Sequence, residues 1–491
     1  MKRAPLSLLI TLLAFILLSG NVQLWAQATS WKQIPIPKLP AFHPAQPKRV
    51  ELPNGMVIFL QEDHELPTID GTARIRGGAR RVAANKTGLM DIYGEVWRTG
   101  GTKSETGDQL DDYLEQRAAK VETDGDADST SISFSCLKED FNDAFRVFDD
   151  VLRNPEFRAE KIKIAQGEEY DAISRRNDDA SQISGREAAK LVYGANSPYA
   201  RVPEYATVAS ITREDLVEWH STYVQPNNII LGVVGDFDSV KMEARLREAF
   251  ASWPKGGAVK AEEIKPDPTA PAYYLVNKTD VNQSNIQMVA LGTTRRNPDY
   301  YAISVFNEAF GGGFSSRLFS DIRTTKGLAY AVGGGIGTGW DHDGMLRLMV
   351  MTKSATTFES IEALDQEIAE LPKNPLSEDE ISRAKDAILN SFVFRFDSPE
   401  KVLREKMAYE FYGYPLDFLE TFQKRIETVT KADVARVAAK YLHRDQMAVL
   451  VVGNAAEFDK QPASLGEAHK LDITIPAPPP GLLPEQGGPG Q

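Results

Sequence analysis

An arginine and a tyrosine seven residues apart, Arg323 and Tyr330, stand either side of a glycine turn in the stretch 311–337, GGGFSSRLFSDIRTTKGLAYAVGGGIG. A guanidinium is a permanently charged fork of donors suited to holding a carbonyl oxygen. A phenol hydroxyl is a donor suited to an oxygen on which negative charge develops. The stretch predicts a glycine entry, an amphipathic helix over about 316–325, a turn at Lys326-Gly327 and a strand opening on Leu328-Ala329-Tyr330. Such a turn folds both side chains toward one point. Spacing alone leaves a plainer alternative: a surface cation at a helix C-terminus, where the dipole favours it, and a half-buried strand tyrosine. The surrounding elements have to decide between the two.

Those elements begin with a hairpin over 49–62, where Asn54-Gly55 separates Val50-Glu51-Leu52 from Met56-Val57-Ile58-Phe59-Leu60. A strand over 72–76 ends in Gly77-Gly78, and helices follow over 87–98 and 106–117. An alternating strand occupies 129–136, and long helices occupy 140–152 and 158–176. Strands and long helices mix without regular βαβ alternation, so the fold class is α+β, with helices layered on sheets.

The region 210–236 then recurs. Ser210-Ile211-Thr212-Arg213-Glu214-Asp215-Leu216 matches Thr428-Val429-Thr430-Lys431-Ala432-Asp433-Val434, and Gly235-Asp236 matches Gly453-Asn454, both at an offset of 218 residues. Each copy opens a helix on a threonine N-cap with an aspartate three residues on. Each ends in a wholly apolar strand, 229–234 and 447–452. Asn154-Pro155 and Asn374-Pro375 form a second pair at nearly the same spacing, the later one followed by a Ser377/Glu380 capping box. The chain is therefore a tandem duplication of two homologous sandwich domains, 49–252 and 273–475, joined by a Pro/Gly/Lys-rich linker over 253–272.

At 491 residues, 42% hydrophobic and 25% charged, the chain has material for two cores. A net charge of −13 argues against a nucleic-acid binder, which needs a basic stripe. Residues 1–28 carry Lys2-Arg3, an apolar run over 6–18 and Ala26-Gln27-Ala28, the pattern of an export signal cleaved after Ala28, which places the soluble mature chain in the periplasm. Residues 29–48 are a proline-rich extended lead-in, and the Pro/Gly tail over 476–491 is expected to be disordered. Cys136 is the only cysteine, so no internal disulfide forms; it is expected to be a small buried strand residue.

The Asn-Gly hairpin, Gly77-Gly78-Ala79, Gly88-Leu89, Ser197-Pro198-Tyr199, Pro226-Asn227-Asn228, Ser315-Ser316-Arg317-Leu318-Phe319 and Gly327-Leu328-Ala329-Tyr330 together resemble the pitrilysin-type zinc peptidases, the M16 family, over nearly all of the mature chain. In active members the helix after Gly-Leu carries the inverted motif His-x-x-Glu-His, two zinc-binding imidazoles and a general base. Here that helix runs Gly88-Leu89-Met90-Asp91-Ile92-Tyr93-Gly94-Glu95, so the resemblance puts Asp91 and Glu95 at the histidine positions and Gly94 at the base. The six histidines (His43, His64, His220, His342, His443 and His469) form no HxxEH or HExxH pair. The family's third ligand would fall near Glu168, Glu169 or Asp171. Carboxylates of this kind suit a hard cation such as calcium or magnesium better than hydrolytic zinc. The expectation is that this chain holds no metal. Replacing Asp91 and Glu95 by histidine and Gly94 by glutamate would rebuild the motif in sequence. The family's substrate-facing strand has drifted too, to Glu122-Thr123 followed by Asp124, Asp126 and Asp128.

The family's second contribution to catalysis, an arginine and a tyrosine seven apart in the C-terminal domain, falls on Arg323 and Tyr330. The resemblance therefore implies the non-zinc subunit of an exported two-chain peptidase. Its partner would be an HxxEH-bearing homologue that carries the zinc, its substrate a peptide or unfolded polypeptide. The alternative it implies is a catalytically inactive peptide-binding or scaffold protein.

Overall fold

The computed structural model describes residues 46–259, 263–461 and 468–482. The expected export signal and nearly all of the lead-in lie outside the described residues. The first half builds β1 (Lys48–Glu51), β2 (Val57–Glu62), β3 (Thr68–Arg76), α1 (Leu89–Thr99), α2 (Gly107–Glu115), β4 (Lys120–Gly125), β5 (Ser129–Leu137), α3 (Phe141–Arg153), α4 (Ala159–Arg175), α5 (Ala180–Tyr193), α6 (Arg213–Tyr223), β6 (Ile229–Gly235) and α7 (Ser239–Phe250). The second builds β7 (Tyr273–Asn277), β8 (Gln283–Leu291), α8 (Tyr300–Asn307), β9 (Ala329–Gly335), β10 (Met345–Lys353), α9 (Thr357–Glu370), α10 (Glu378–Phe392), α11 (Pro399–Tyr412), α12 (Phe418–Thr428), α13 (Lys431–Tyr441), β11 (Ala448–Gly453) and β12 (Ala468–Lys470). Shorter helical turns and a two-residue strand pair are left unlabelled.

The local signals act as expected. β1 and β2 pair antiparallel around a loop in which Gly55 has φ 88°, a conformation only glycine takes without strain. Thr212, Ser377 and Thr430 each cap a helix in a reciprocal capping box, with Asp215, Glu380 and Asp433. Cys136 is buried.

The sheets run β1-β2-β6-β3-β5-β4 and β9-β10-β8-β11-β7-β12. Read from β2 and from β7 toward the opposite edge, the order of equivalent strands is the same, with β6 parallel to β2 and β11 parallel to β7. Duplication therefore makes β4 and β9 equivalent edge strands. One face of the first sheet, with Ile58, Leu60, Ile75, Ile132 and Phe134, packs on Tyr93, Trp97, Phe145 and Phe148 of its own helices.

Its other face is covered from the second half. Leu403, Met407 and Phe411 of α11 lie on Val57, Phe59, Ile230 and Val234. Reciprocally, Ile183, Ala188, Leu191 and Val192 of α5 pack with Val276, Val289, Leu450 and Val452 of the second sheet. Each of these large apolar side chains contributes about 1.5–3 kcal/mol when buried, so the halves are joined by shared core. Polar links add to it: Arg49 is bidentate to Glu410 (3.0 and 2.9 Å), Arg80 pairs with Asp341 (2.7 Å), and the Tyr412 hydroxyl donates to Asp128 (2.7 Å). The tail expected to be disordered from Pro476 is described as far as Leu482, and Ile475 and Leu482 pack on the first core. Among the described residues no helix is long and apolar enough to cross a membrane.

Candidate functional site

The first half-site grows from α1. Leu89, Met90, Ile92, Tyr93, Val96 and Trp97 are its buried positions, which leaves Asp91 and Glu95, one turn apart, on the open side. Gly94 is buried against β4. A Cβ on Gly94 would sit 2.7 Å from the Gly125 nitrogen and 3.1 Å from the Asp124 carbonyl carbon, and a Cβ on Gly125 would sit 2.7 Å from the Met90 oxygen. The Thr123 hydroxyl closes the contact with a 2.5 Å bond to the Gly94 carbonyl. Two glycines thus let the helix backbone touch the strand backbone, and no space remains for a base at position 94. Rebuilding HxxEH by substitution therefore meets a steric obstacle that the spelling of the motif does not show.

Charge agrees with packing. Glu169 on α4 is pushed up to about 7, chiefly by burial and then by the Asp91 and Glu168 charges. Asp91 is raised by desolvation and by Asp124, and Glu95 by desolvation and then by Glu168 and Glu122. Of the three positions considered for the third ligand, Glu169 is the one coupled to Asp91, while Asp171 is exposed. Among the described residues no group of three or more His, Cys, Asp or Glu side chains is arranged to hold a metal ion. A donor set without imidazole and without room for a base does not fit hydrolytic zinc.

The acidic run after Glu122 is partly structural. Asp126 accepts the backbone N–H groups of Asp128 and Ser129 (2.6 Å each) and the Ser129 hydroxyl (2.9 Å), capping its own turn. Asp128 is held by Tyr412 and lies 3.3 Å from Arg80. Of the carboxylates in this run, Glu122 and Asp124 lie exposed on β4 itself.

The second half-site departs from a regular helix. Residues Phe319–Thr325 form a π-helix, as do Glu308–Gly312, in place of the amphipathic α-helix expected over 316–325; such insertions occur often at functional sites. Leu318 and Ile322 are buried beneath the segment. Arg317 anchors it with two bonds to Glu380 (2.8 and 2.7 Å) and bonds to the Asn374 and Pro375 carbonyls (2.7 and 3.2 Å). Arg323 is exposed, its guanidinium 4.7 Å from the Phe319 ring centre, and Phe319 meets Phe314 edge-on.

Tyr330 is the extra residue of a β-bulge. Ala329 pairs with Thr352 and Ala331 with Met351, so Tyr330 has no opposite number on β10. Bulges re-aim side chains, and this one leaves Tyr330 71% exposed. Its hydroxyl makes no hydrogen bond among the described residues. The half-buried strand tyrosine is thereby excluded. Behind the segment, Glu367 of α9 is pushed up to about 7, chiefly by burial and then by Asp321.

The structure gathers Asp91, Gly94, Glu95 and Glu169 beside edge strand β4, and sets Arg323 and Tyr330 at the equivalent edge strand β9. No hydrogen bond or ion pair joins the two groups. Two features escaped the sequence: the Gly94–Gly125 contact, for which the Asp-Gly pair at 124–125 was the available hint, and Tyr412, which nothing local distinguishes.

Comparison with known proteins agrees with this layout. The family description "Insulinase (Peptidase family M16)" matches residues 75–186, and "Peptidase M16 inactive domain" matches 210–388. A Helicobacter pylori protein named "Non-peptidase homolog YmxG" is 22% identical over 423 residues, 81% of this chain and 91% of its own. The Bacillus subtilis "Probable inactive metalloprotease YmfF" is 24% identical over 298 residues, 60% of this chain and 68% of its own. A crystal structure titled as a peptidase M16 inactive domain from Pseudomonas fluorescens superposes with a TM-score of 0.75 at 23% identity, covering 83% of this chain and 98% of that one. The two family matches span more than half of the residues, and the helix bearing Asp91, Gly94 and Glu95 and the segment bearing Arg323 and Tyr330 fall inside them: the chain belongs to the M16 peptidase family and keeps company there with relatives described as inactive.

Proposed function

We propose that this chain is a non-hydrolytic M16 homologue that binds extended polypeptide beside β9, with Arg323 and Tyr330 as contact residues. The observation that carries the proposal is the backbone contact at Gly94, which removes the base, while the second half-site keeps an accessible cation and phenol. The names of the relatives support it. The purified chain is expected to hold no stoichiometric zinc, to cleave no peptide, and to bind an unfolded polypeptide in a fluorescence anisotropy titration, with at least about tenfold weaker binding for Arg323→Ala. One tightly bound zinc per chain with chelator-sensitive cleavage would overturn the reading.

The bulge at Tyr330 favours a second reading, in which the pair works in trans for an HxxEH-bearing homologue that brings the metal. There Arg323 would hold a substrate carbonyl throughout the reaction and Tyr330 would donate to the oxyanion as charge develops. In such a complex Tyr330→Phe should lower kcat by about 10²-fold with little change in KM. Co-expression with every HxxEH homologue of the same genome, giving neither complex nor cleavage, would leave the binding role alone. Both readings place the mature chain outside the cytoplasm after cleavage at Ala28, which N-terminal sequencing of the exported protein would check.

A further inference from the structure

A cavity of about 460 Å³ lies between the outer face of the first sheet and the start of α11, within the usual ~300–1,000 Å³ of small-ligand sites. Its floor includes Asp70, Thr72 and Arg74, alternate residues of β3 whose neighbours Ile69, Ala73 and Ile75 face the core. Its wall includes Glu400 and Arg404, one helical turn apart. Arg74 is held in place: its Nε donates to Ser129 (3.0 Å), its Nη2 to Tyr412 (3.3 Å), and its guanidinium lies 4.1 Å from the Phe411 ring centre. The side chains of Asp70, Glu400 and Arg404 make no hydrogen bond or ion pair among the described residues.

The cavity has direction. Strand pairing puts Arg74 level with Ile230, Thr72 with Gly232 and Asp70 with Val234. Phe411 lies over Arg74, and Met407 and Leu403 lie over Gly232, so the first turn of α11, with Glu400, falls toward Asp70. One end is therefore anionic, Asp70 with Glu400, while the other carries Arg74 with Asp126 bonded to the same Ser129 hydroxyl, and Arg404 stands on the wall between. Asp70 and Arg74 are separated by about 13 Å of strand at ~3.3 Å per residue, and their side chains shorten the gap. A free amino acid is too short to bridge such ends, whereas two or three residues at ~3.3–3.6 Å each are not. The equivalent cavity of the second half, about 640 Å³ where α5 starts over β8, is lined by Asp178, Asp179, Asp280 and Glu457 and by no lysine or arginine. The two-signed arrangement thus belongs to this cavity and not to the fold.

We propose that the cavity is a binding site for a di- or tripeptide with free termini. Asp70 and Glu400 take the terminal ammonium, Arg74 and Arg404 the terminal carboxylate, and the small side chain of Ser131 in the lining leaves room for a ligand side chain. The site is independent of Arg323 and Tyr330.

Isothermal titration of the full chain with Gly-Gly, Ala-Ala and Ala-Ala-Ala tests it. At least one is expected to bind saturably with Kd below about 1 mM. N-acetylation or C-amidation of that peptide, Asp70→Asn and Arg404→Ala should each weaken it by about tenfold or more, and Arg323→Ala should leave it unchanged. Ser131→Phe, which fills the floor beside its cross-strand partner Arg74 while leaving every charge in place, should abolish it. Thermal unfolding at the parent temperature certifies each variant as folded. The proposal is overturned if none of the three peptides binds below about 1 mM, if capped peptides or free alanine bind as tightly, if Asp70→Asn and Arg404→Ala change nothing, or if Arg323→Ala removes the binding.

Discussion

Edge strands β4 and β9 occupy equivalent places in the two halves and have met opposite fates. At β4 the neighbouring helix lies in backbone contact through Gly94 and Gly125, its open side carries Asp91 and Glu95, and burial followed by nearby carboxylates raises their proton affinity. At β9 the neighbouring segment is π-helical, anchored from beneath by Arg317, and a bulge turns a tyrosine outward. The difference teaches that equivalent edges can diverge through packing as well as through side-chain identity: one edge is packed shut while the other presents donors.

The sharpest way to break this comparison is to force a base into the closed edge. Gly94→Glu should destabilise the chain by about 3 kcal/mol, the upper range for overpacking a close contact, whereas Asp91→His with Glu95→His on the open side should stay within about 0.5 kcal/mol. Urea denaturation that finds Gly94→Glu as stable as the parent would mean the contact is loose and the edge can reopen. At the other edge Arg317→Ala should cost about 2–3 kcal/mol, because it leaves Glu380 without its cation and frees two carbonyls. An unchanged denaturation midpoint would remove the anchor from the account.

Proton linkage probes both edges at once. Glu169 and Glu367 each bind a proton more tightly in the folded chain than the usual carboxylate does, to about 7 in each case. Their contribution is fully present below the unfolded pKa near 4.5 and is lost as pH rises through 7. Each group is only half-buried, so after solvent screening the loss should be about 1 kcal/mol apiece. Stability should fall from pH 5 to pH 8, and Glu169→Gln should flatten part of that fall. A profile that rises over this window would contradict the sign. The smallest effect is expected for Tyr330→Phe, within about 0.5 kcal/mol, since the hydroxyl has no partner to lose; a larger shift in melting temperature would give that hydroxyl a structural role.

Much of the fold was legible because its local signals are strong: threonine caps repeated at a fixed offset, the Asn-Gly loop, and apolar strands too hydrophobic to face water. The π-helix at Phe319–Thr325 was not, since the residues that form it read equally well as an α-helix. Asp128 looked like part of a drifted substrate strand because its bond to Tyr412 depends on a position distant in sequence, whereas the turn that Asp126 caps is local and could have been read from Asp126 and Ser129. Gly94 illustrates the same limit, as a missing side chain does not say whether the space it leaves is empty or filled.

The exchange of α5 and α11 has a consequence for synthesis. The apolar outer face of the first sheet, Val57, Phe59, Ile230 and Val234, has no cover until α11 has been made. From β6 onward that is on the order of ten to thirty seconds at about 5–20 residues per second. Throughout this interval the nascent chain exposes a flat hydrophobic surface, the kind that recruits chaperones or aggregates. A chain ended before Pro399 should accordingly bind an apolar dye that the full chain ignores, and dye binding equal in the two would show that the first half covers itself.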